Sequence, residues 1–252
     1  KHEIDYYGPA LSKTLEESVN TIHASRQLSD PPQPKVFAQL EQAKNKVYIV
    51  DYDMKQAEIL MVSRGVKYDP TLMSQARIFN EYYGGTMGSV VFQTLRESKA
   101  LAYSVFSSYS MPDRKEKYNY VNAYIGTQVD KLPEAMAGMT ELLNNMPESE
   151  NLFNSSKDAV IQKLRTERIT RASKLSSYRR ARRLGLDRDI RQDIFAKVPS
   201  MTMKDVKAFH DTHLKNRKFN IMVLGKKENL NLDELKKYGE INFLTLNDLF
   251  GY

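Results

Sequence analysis

Gly84-Gly85-Thr86-Met87-Gly88-Ser89-Val90-Val91-Phe92-Gln93-Thr94-Leu95-Arg96-Glu97-Ser98-Lys99-Ala100-Leu101-Ala102-Tyr103 changes backbone habit twice within one short stretch. Clustered glycines mark a turn. The apolar spacing after Ser89 reads as a short helix that ends near Arg96-Glu97, a brief polar loop follows, and from Leu101 the pattern is that of a strand. Arg96 and Tyr103 therefore flank one loop, an order that can bring a guanidinium and a phenol together. The same two residues also have a plain structural reading. Arg96 can neutralise the negative end of its helix, and Tyr103 can fill a half-buried position on a sheet. Spacing leaves both readings open.

Upstream, Asp69-Pro70 is a helix start, with Asp at the N-cap and Pro in the first turn. Leu72, Ala76, Phe79 and Tyr83 form one apolar stripe that Gly84-Gly85 terminates. Before it, Val47–Val50 and Ala57–Ser63 read as two strands of an antiparallel hairpin joined by a turn at Asp51–Lys55. The run Ser29-Asp30-Pro31-Pro32-Gln33-Pro34 reads as a semi-rigid linker. It is preceded by a helix over 12–28, with Leu15, Val19, Ile22 and Arg26 at helical spacing, and by a strand Ile4–Tyr7 stopped at Gly8-Pro9. The linker divides the chain into residues 1–34 and a domain over 35–252.

Downstream, Tyr103–Tyr109 and Tyr118–Ile125 read as antiparallel strands around the charged turn Met111–Lys117. One face of the second carries Tyr118, Tyr120 and Tyr124, and the other carries Val121, Ala123 and Ile125. A helix after Asp130 carries Leu132, Met136, Met139, Leu143 and Met146, a spacing in which methionine fills core. Residues 151–197 read as one long helical region or two helices interrupted at Gly185. Thr202-x-x-Asp205 resembles a capping box that opens a helix to about Leu214. Phe219–Gly225 is a buried strand, and Leu230 onward reads as a short helix and a tail. Paired strands alternating with runs of helices predict an α+β fold with a mainly antiparallel sheet packed against helices.

The sequence has 41% hydrophobic and 27% charged residues, enough apolar material for one large domain. It contains no cysteine, which excludes disulfides and thiolate metal sites. No apolar run reaches the roughly eighteen residues of a membrane span, and Lys1–Asp5 is not a signal peptide. The start at Lys1, within a patterned segment, is read as the start of a piece of a longer chain. The net charge of +7 comes largely from residues 163–191, including Arg179-Arg180-Ala181-Arg182-Arg183. This run reads as a solvated helix face. Combined with the Tyr118/Tyr120/Tyr124 face it also allows a nucleic-acid-binding α+β domain.

Sequence motifs supply no self-sufficient reaction. His210 and His213 share one side of a helix, but a catalytic zinc needs a third ligand and a carboxylate base. Neither H-E-x-x-H nor H-x-x-E-H occurs. Serine-hydrolase, P-loop and dinucleotide fingerprints are absent, and Gly84–Gly88 lacks the lysine of a phosphate cradle.

Leu95-Arg96-Glu97-Ser98-Lys99-Ala100-Leu101-Ala102-Tyr103, within Phe92–Val105, closely resembles the L-R-E-x-x-x-L-A-Y segment in the carboxy-terminal half of M16 (pitrilysin/insulysin-type) zinc metallopeptidases. The likeness extends to the Gly-rich turn after the 69–83 helix, to Thr202–Val206 with Phe209, to the strand at 220–225, and to Ile4–Pro9 as the closing strand of a preceding M16 domain. It implies an M16 metallohydrolase-like α+β domain over 35–252, with 1–34 as the tail of its predecessor plus a linker. It also implies that this chain is the zinc-free half of a two-half peptidase, a fragment or a partner subunit. No cofactor is then expected in this chain, zinc lies in the amino-terminal half, and the chain alone cleaves nothing. Arg96 and Tyr103 would contact the substrate peptide and the tetrahedral intermediate. The resemblance is equally consistent with a scaffold that has lost catalysis. A periplasmic or cell-envelope setting is expected, without nucleic acid or a membrane span.

Overall fold

Buried and partly exposed side chains alternate along the strands, so the sheet has one covered and one open face. The computed structural model describes residues 4–22, 32, 35 and 37–251. Its elements are α1 (Ser12–Ile22), β1 (Lys46–Asp51), β2 (Gln56–Lys67), α2 (Met73–Tyr83), α3 (Val90–Phe92), which runs into a π-helical turn over Gln93–Ser98, β3 (Ser104–Ser110) and β4 (Tyr118–Gln128). There follow α4 (Leu132–Asn144), α5 (Glu150–Thr166), α6 (Arg171–Arg183), α7 (Ile190–Lys197), α8 (Met203–His213), β5 (Asn220–Gly225), α9 (Leu232–Lys236), β6 (Glu240–Leu244) and α10 (Leu246–Phe250).

The six described strands form one sheet in the order β3-β4-β2-β5-β1-β6. In β3-β4-β2-β5 each strand is antiparallel to its neighbour, with Ile59 opposite Ile125 on one side and Val223 on the other. β1 runs parallel to both its neighbours, with Val47 opposite Ile221 and Ile241. The sheet is thus α+β and mostly antiparallel, as expected, but β1 and β2 are not a hairpin. β5 lies between them. Ile221, Met222, Val223 and Leu224 are apolar on both faces, which suits an interior strand. Residues 52–55 step over β5, a gap of roughly 10 Å that four extended residues can cross. The crossing is tied by Tyr52 N–H to the Gly225 carbonyl (3.1 Å) and Lys227 N–H to Asp51 Oδ1 (2.8 Å).

Other expectations need correction. Residues 4–9 form no strand, since none of the described strands offers them a ladder. The tail contains β6, which Tyr238 and Leu235 anchor against the core. Residues 151–197 hold three helices. One break is at Gly185, whose φ of +70° favours glycine, and the other is at 167–170, where Thr170 caps α6. The predicted helix over 12–28 is α1 as far as Ile22. Its remainder and, apart from Pro32, the Ser29–Pro34 run lie outside the described residues.

The core lies between the covered face of the sheet and α2, α4, α5 and α8. α2 is its axis. Asp69 accepts from Thr71 N–H as its cap, and Phe79, Tyr82 and Tyr83 are fully buried. Phe79 stacks on Tyr83 with centroids 4.9 Å apart and meets Phe209 of α8 at 5.0 Å. The predicted capping box is present, with Thr202 and Asp205 bonding each other's backbone. On the open face, Phe106 stacks on Tyr124 at 5.3 Å, Arg64 lies over Tyr118 at 4.2 Å and Tyr120 receives Gln39.

Gly84 ends α2 without a left-handed turn (φ −154°). Its value is the missing side chain. The Gly84 carbonyl accepts from Ser107 N–H (3.1 Å), and Asn80 bonds both backbone groups of Tyr109. The end of α2 thereby closes much of the outer edge of β3, an edge that would otherwise template unwanted pairing.

Candidate functional site

Leu95 is fully buried and faces Gly138 of α4, where an added Cβ would come within 2.7 Å of Leu95 Cδ2. That close approach fixes the π-helical turn against the domain and turns Arg96, one residue on, outward. Lys99 N–H bonds the Thr94 carbonyl (3.1 Å) and Leu101 N–H bonds that of Leu95 (2.8 Å), and the chain then reverses through Ala100 at φ +48°. A non-glycine residue there is uncommon, and its neighbours hold it. Lys131 Nζ donates to the Ala100 carbonyl (2.9 Å), Thr127 Oγ1 to the Leu101 carbonyl (2.6 Å), and Tyr103 N–H to the Gly126 carbonyl (2.8 Å). The strand begins at Ser104 rather than Leu101, because the backbone of 99–102 is engaged in this reversal.

The reversal brings the two expected residues together. The Arg96 guanidinium lies 5.5 Å from the Tyr103 ring centre and 4.9 Å from that of Phe92. Contacts of this kind at an exposed site are each worth about 0.5–1 kcal/mol, enough to bias the orientation of Arg96. Its carboxylate neighbour Glu97 is 3.8 Å away and exposed, so it leaves the guanidinium available. Tyr103 is 73% exposed, which does not fit a half-buried sheet position. Both side chains border a cleft of about 390 Å³ whose walls also include Gln56, Gln128 and Lys131. Sequence reading missed these three. They reach the cleft through the register of β2, β4 and the start of α4, which no local pattern encodes.

The other candidate chemistry resolves into core. His210 is fully buried, with Nε2 3.2 Å from the Leu142 carbonyl, and His213 is nearly so. Their rings pack on Tyr83, Tyr109 and Phe209. Among the described residues no three His, Asp or Glu side chains converge as a metal would need, so this donor set does not fit zinc. Burial holds both imidazoles below the ordinary histidine value. For His210, hydrogen bonds to Asp211 and the Leu142 carbonyl oppose the shift, and for His213 the Arg217 charge adds to it. Both rings are therefore neutral in the folded protein, while the unfolded chain takes up protons near pH 6.5. Stability is complete above that pH and is lost as pH falls below it, because the unfolded state then binds more protons. The thermal midpoint is expected to be flat from about pH 8 to 7 and to drop from about 6.5 downward. Melts at successive pH values check this, and a midpoint that holds steady to pH 5 would contradict it.

The family described as peptidase M16 inactive domain matches residues 10–160, more than half of the chain. The chain belongs to that family. Solved structures share the M16 fold. The peptidase M16 inactive domain from Pseudomonas fluorescens superposes with a TM-score of 0.67 at 18% identity, over 86% of this chain and 52% of that one. Complex III2 from Candida albicans gives 0.61 at 15%, over 91% and 55%. The periplasmic protease PqqL from Escherichia coli gives 0.61 at 18%, over 87% and 25%. This M16 chain thus spans about half the length, or less, of the structures it matches. No curated protein sequence matches it. Among the described residues, no helix is long and apolar enough to cross a membrane. The family match ends before β5 and β6, yet those strands flank β1 in the M16 sheet.

Proposed function

We propose that this domain is the zinc-free half of a two-half M16 peptidase and forms the far wall of its peptide-binding site. The observation that carries this reading is the convergence of Arg96 and Tyr103 on one open cleft. Arg96 offers a permanently charged donor fork and Tyr103 a single O–H. Both suit a peptide carbonyl, and both gain strength as that oxygen becomes negative during hydrolysis. Gln56 and Gln128 add neutral donors and acceptors along the same cleft. The partner is an amino-terminal M16 half bearing H-x-x-E-H, in the same polypeptide or a separate subunit, and the zinc belongs to that half. A periplasmic or envelope setting is part of the proposal, supported by the PqqL likeness alone.

A second reading, an inactive scaffold or partner subunit, is favoured by the family's description as an inactive domain. One experiment separates the two. The domain is combined with its zinc-bearing half and kcat/KM is measured on a peptide library with wild type, Tyr103→Phe and Arg96→Ala. Loss of one donor aimed at the developing charge is expected to lower the rate roughly 10²-fold. Unchanged kcat/KM in both variants removes the proposed roles. A stable complex without hydrolysis in any combination selects the scaffold.

A further inference from the structure

A second cleft lies away from Arg96 and Tyr103, at the opposite end of β3. It is a cleft of about 1090 Å³ roofed by α6 and floored by α2, α5 and α7. The seven residues of β3 put its two ends about 20 Å apart. α6 is an unusual roof, since none of its residues is buried. It is held by its ends and by the amino-terminal segment. Lys115 N–H bonds the Arg183 carbonyl (3.2 Å), Asp5 pairs with Arg179, and Lys174 sits over Tyr7 (4.4 Å).

The lining has two parts. Met73, Leu164, Ile190 and Ile194 contribute an apolar floor, and Ile169 at the rim is 51% exposed. Around it stand seven cationic side chains against three carboxylates. The carboxylates are committed. Arg191 binds Asp189 and Glu167, and Arg188 binds Asp187 together with Asp193. Lys163 is matched by Glu81 from outside the lining. Arg77 on α2 and Arg180 on α6 remain without a carboxylate partner among the described residues, and Lys174 meets only the phenol of Tyr7. Uncompensated cations that line one cleft raise its positive potential, and a carboxylate-bearing occupant is attracted to it.

We propose that this cleft binds an acidic, partly apolar polypeptide segment, with its carboxylates on Arg77 and Arg180 and its apolar side chains on the floor. Its volume exceeds the usual range of small-molecule pockets. A nucleic-acid strand would use aromatic stacking along a linear cationic track, whereas here Met73, Leu164, Ile190 and Ile194 form an aliphatic floor, and of the two lining tyrosines Tyr109 is buried and Tyr178 lies under Arg182. The site is independent of the peptidase reading.

The test is fluorescence anisotropy of the full chain with a labelled Glu/Leu-alternating peptide, against a Gln/Leu peptide of the same length. Competitors are inorganic polyphosphate and a single-stranded oligonucleotide. Wild type is expected to prefer the acidic peptide at least tenfold, and Arg77→Gln/Arg180→Gln to remove that preference. Both residues are exposed, so the variant should keep the wild-type melting point. Lys55→Gln, which removes one exposed cation outside the cleft, should bind as wild type. Equal binding of the two peptides, full affinity in the double variant, equal loss in Lys55→Gln, or tighter binding of the oligonucleotide would each overturn the proposal.

Discussion

Replacing Phe79 by alanine is expected to cost about 3–5 kcal/mol of folding stability. Phe79 has no exposed surface and lies where α2, α8 and the sheet meet, in contact with the rings of Tyr83, Phe209 and His210. Truncation removes the transfer energy of the ring and leaves a void that these rigid neighbours fill poorly. In a chain of this length each kcal/mol moves the melting midpoint about 2–4 °C, so a fall of roughly 10 °C is expected. Denaturant titration and thermal melts check it. Phe79→Leu keeps most of the volume and should lose less than half as much. A cost below 1 kcal/mol for Phe79→Ala would mean that α2 is not the axis of the core.

Gly84→Val should be comparably damaging, for the opposite reason. A Cβ at Gly84 would stand 2.8 Å from the Ser107 nitrogen and 2.9 Å from its carbonyl carbon, with the carbonyl oxygen nearer still. All three are backbone atoms of an ordered strand, so no rotamer change can make room. The end of α2 must separate from β3, which sacrifices the Ser107 N–H to Gly84 bond. Overpacking costs about 1–3 kcal/mol, and an unmade buried hydrogen bond a further 1–3 kcal/mol or so. The measurements are the unfolding midpoint and amide exchange of Ser107, which should lose its protection. Gly84→Ala, which brings the same Cβ, should already show most of the effect.

Fold class, the helix stripes and the strand faces were legible because they are local periodicities. Leu132, Met136, Met139 and Leu143 are buried as their spacing requires, and Val121, Ala123 and Ile125 face the core opposite the tyrosines. Thr202 and Asp205 declare a helix start within four residues. Pairing was not legible. Nothing in Val47–Val50 or Ala57–Ser63 says that a strand from residues 220–225 inserts between them, because that choice is made by side chains elsewhere in the sequence. β6 was missed because Glu240–Leu244 is only five residues long, and becomes a strand only where β1 offers an edge. At the candidate site, Arg96 and Tyr103 were visible as residue types astride a loop. Gln56, Gln128 and Lys131 were not, because they arrive from other elements.

The placement of β1 also bears on how the chain is made. β1 precedes the other described strands in the chain, yet its partners among them, β5 and β6, come after residue 219. At ordinary elongation rates it must wait on the order of 10 s for them. Meanwhile Val47 and Ile49 have no ladder to join, while β2, β3 and β4 can already assemble. A ribosome-bound intermediate should therefore hold a three-stranded sheet with an unoccupied β5 position, and nascent chains arrested before residue 220 should be recognised by chaperones that bind exposed apolar strands.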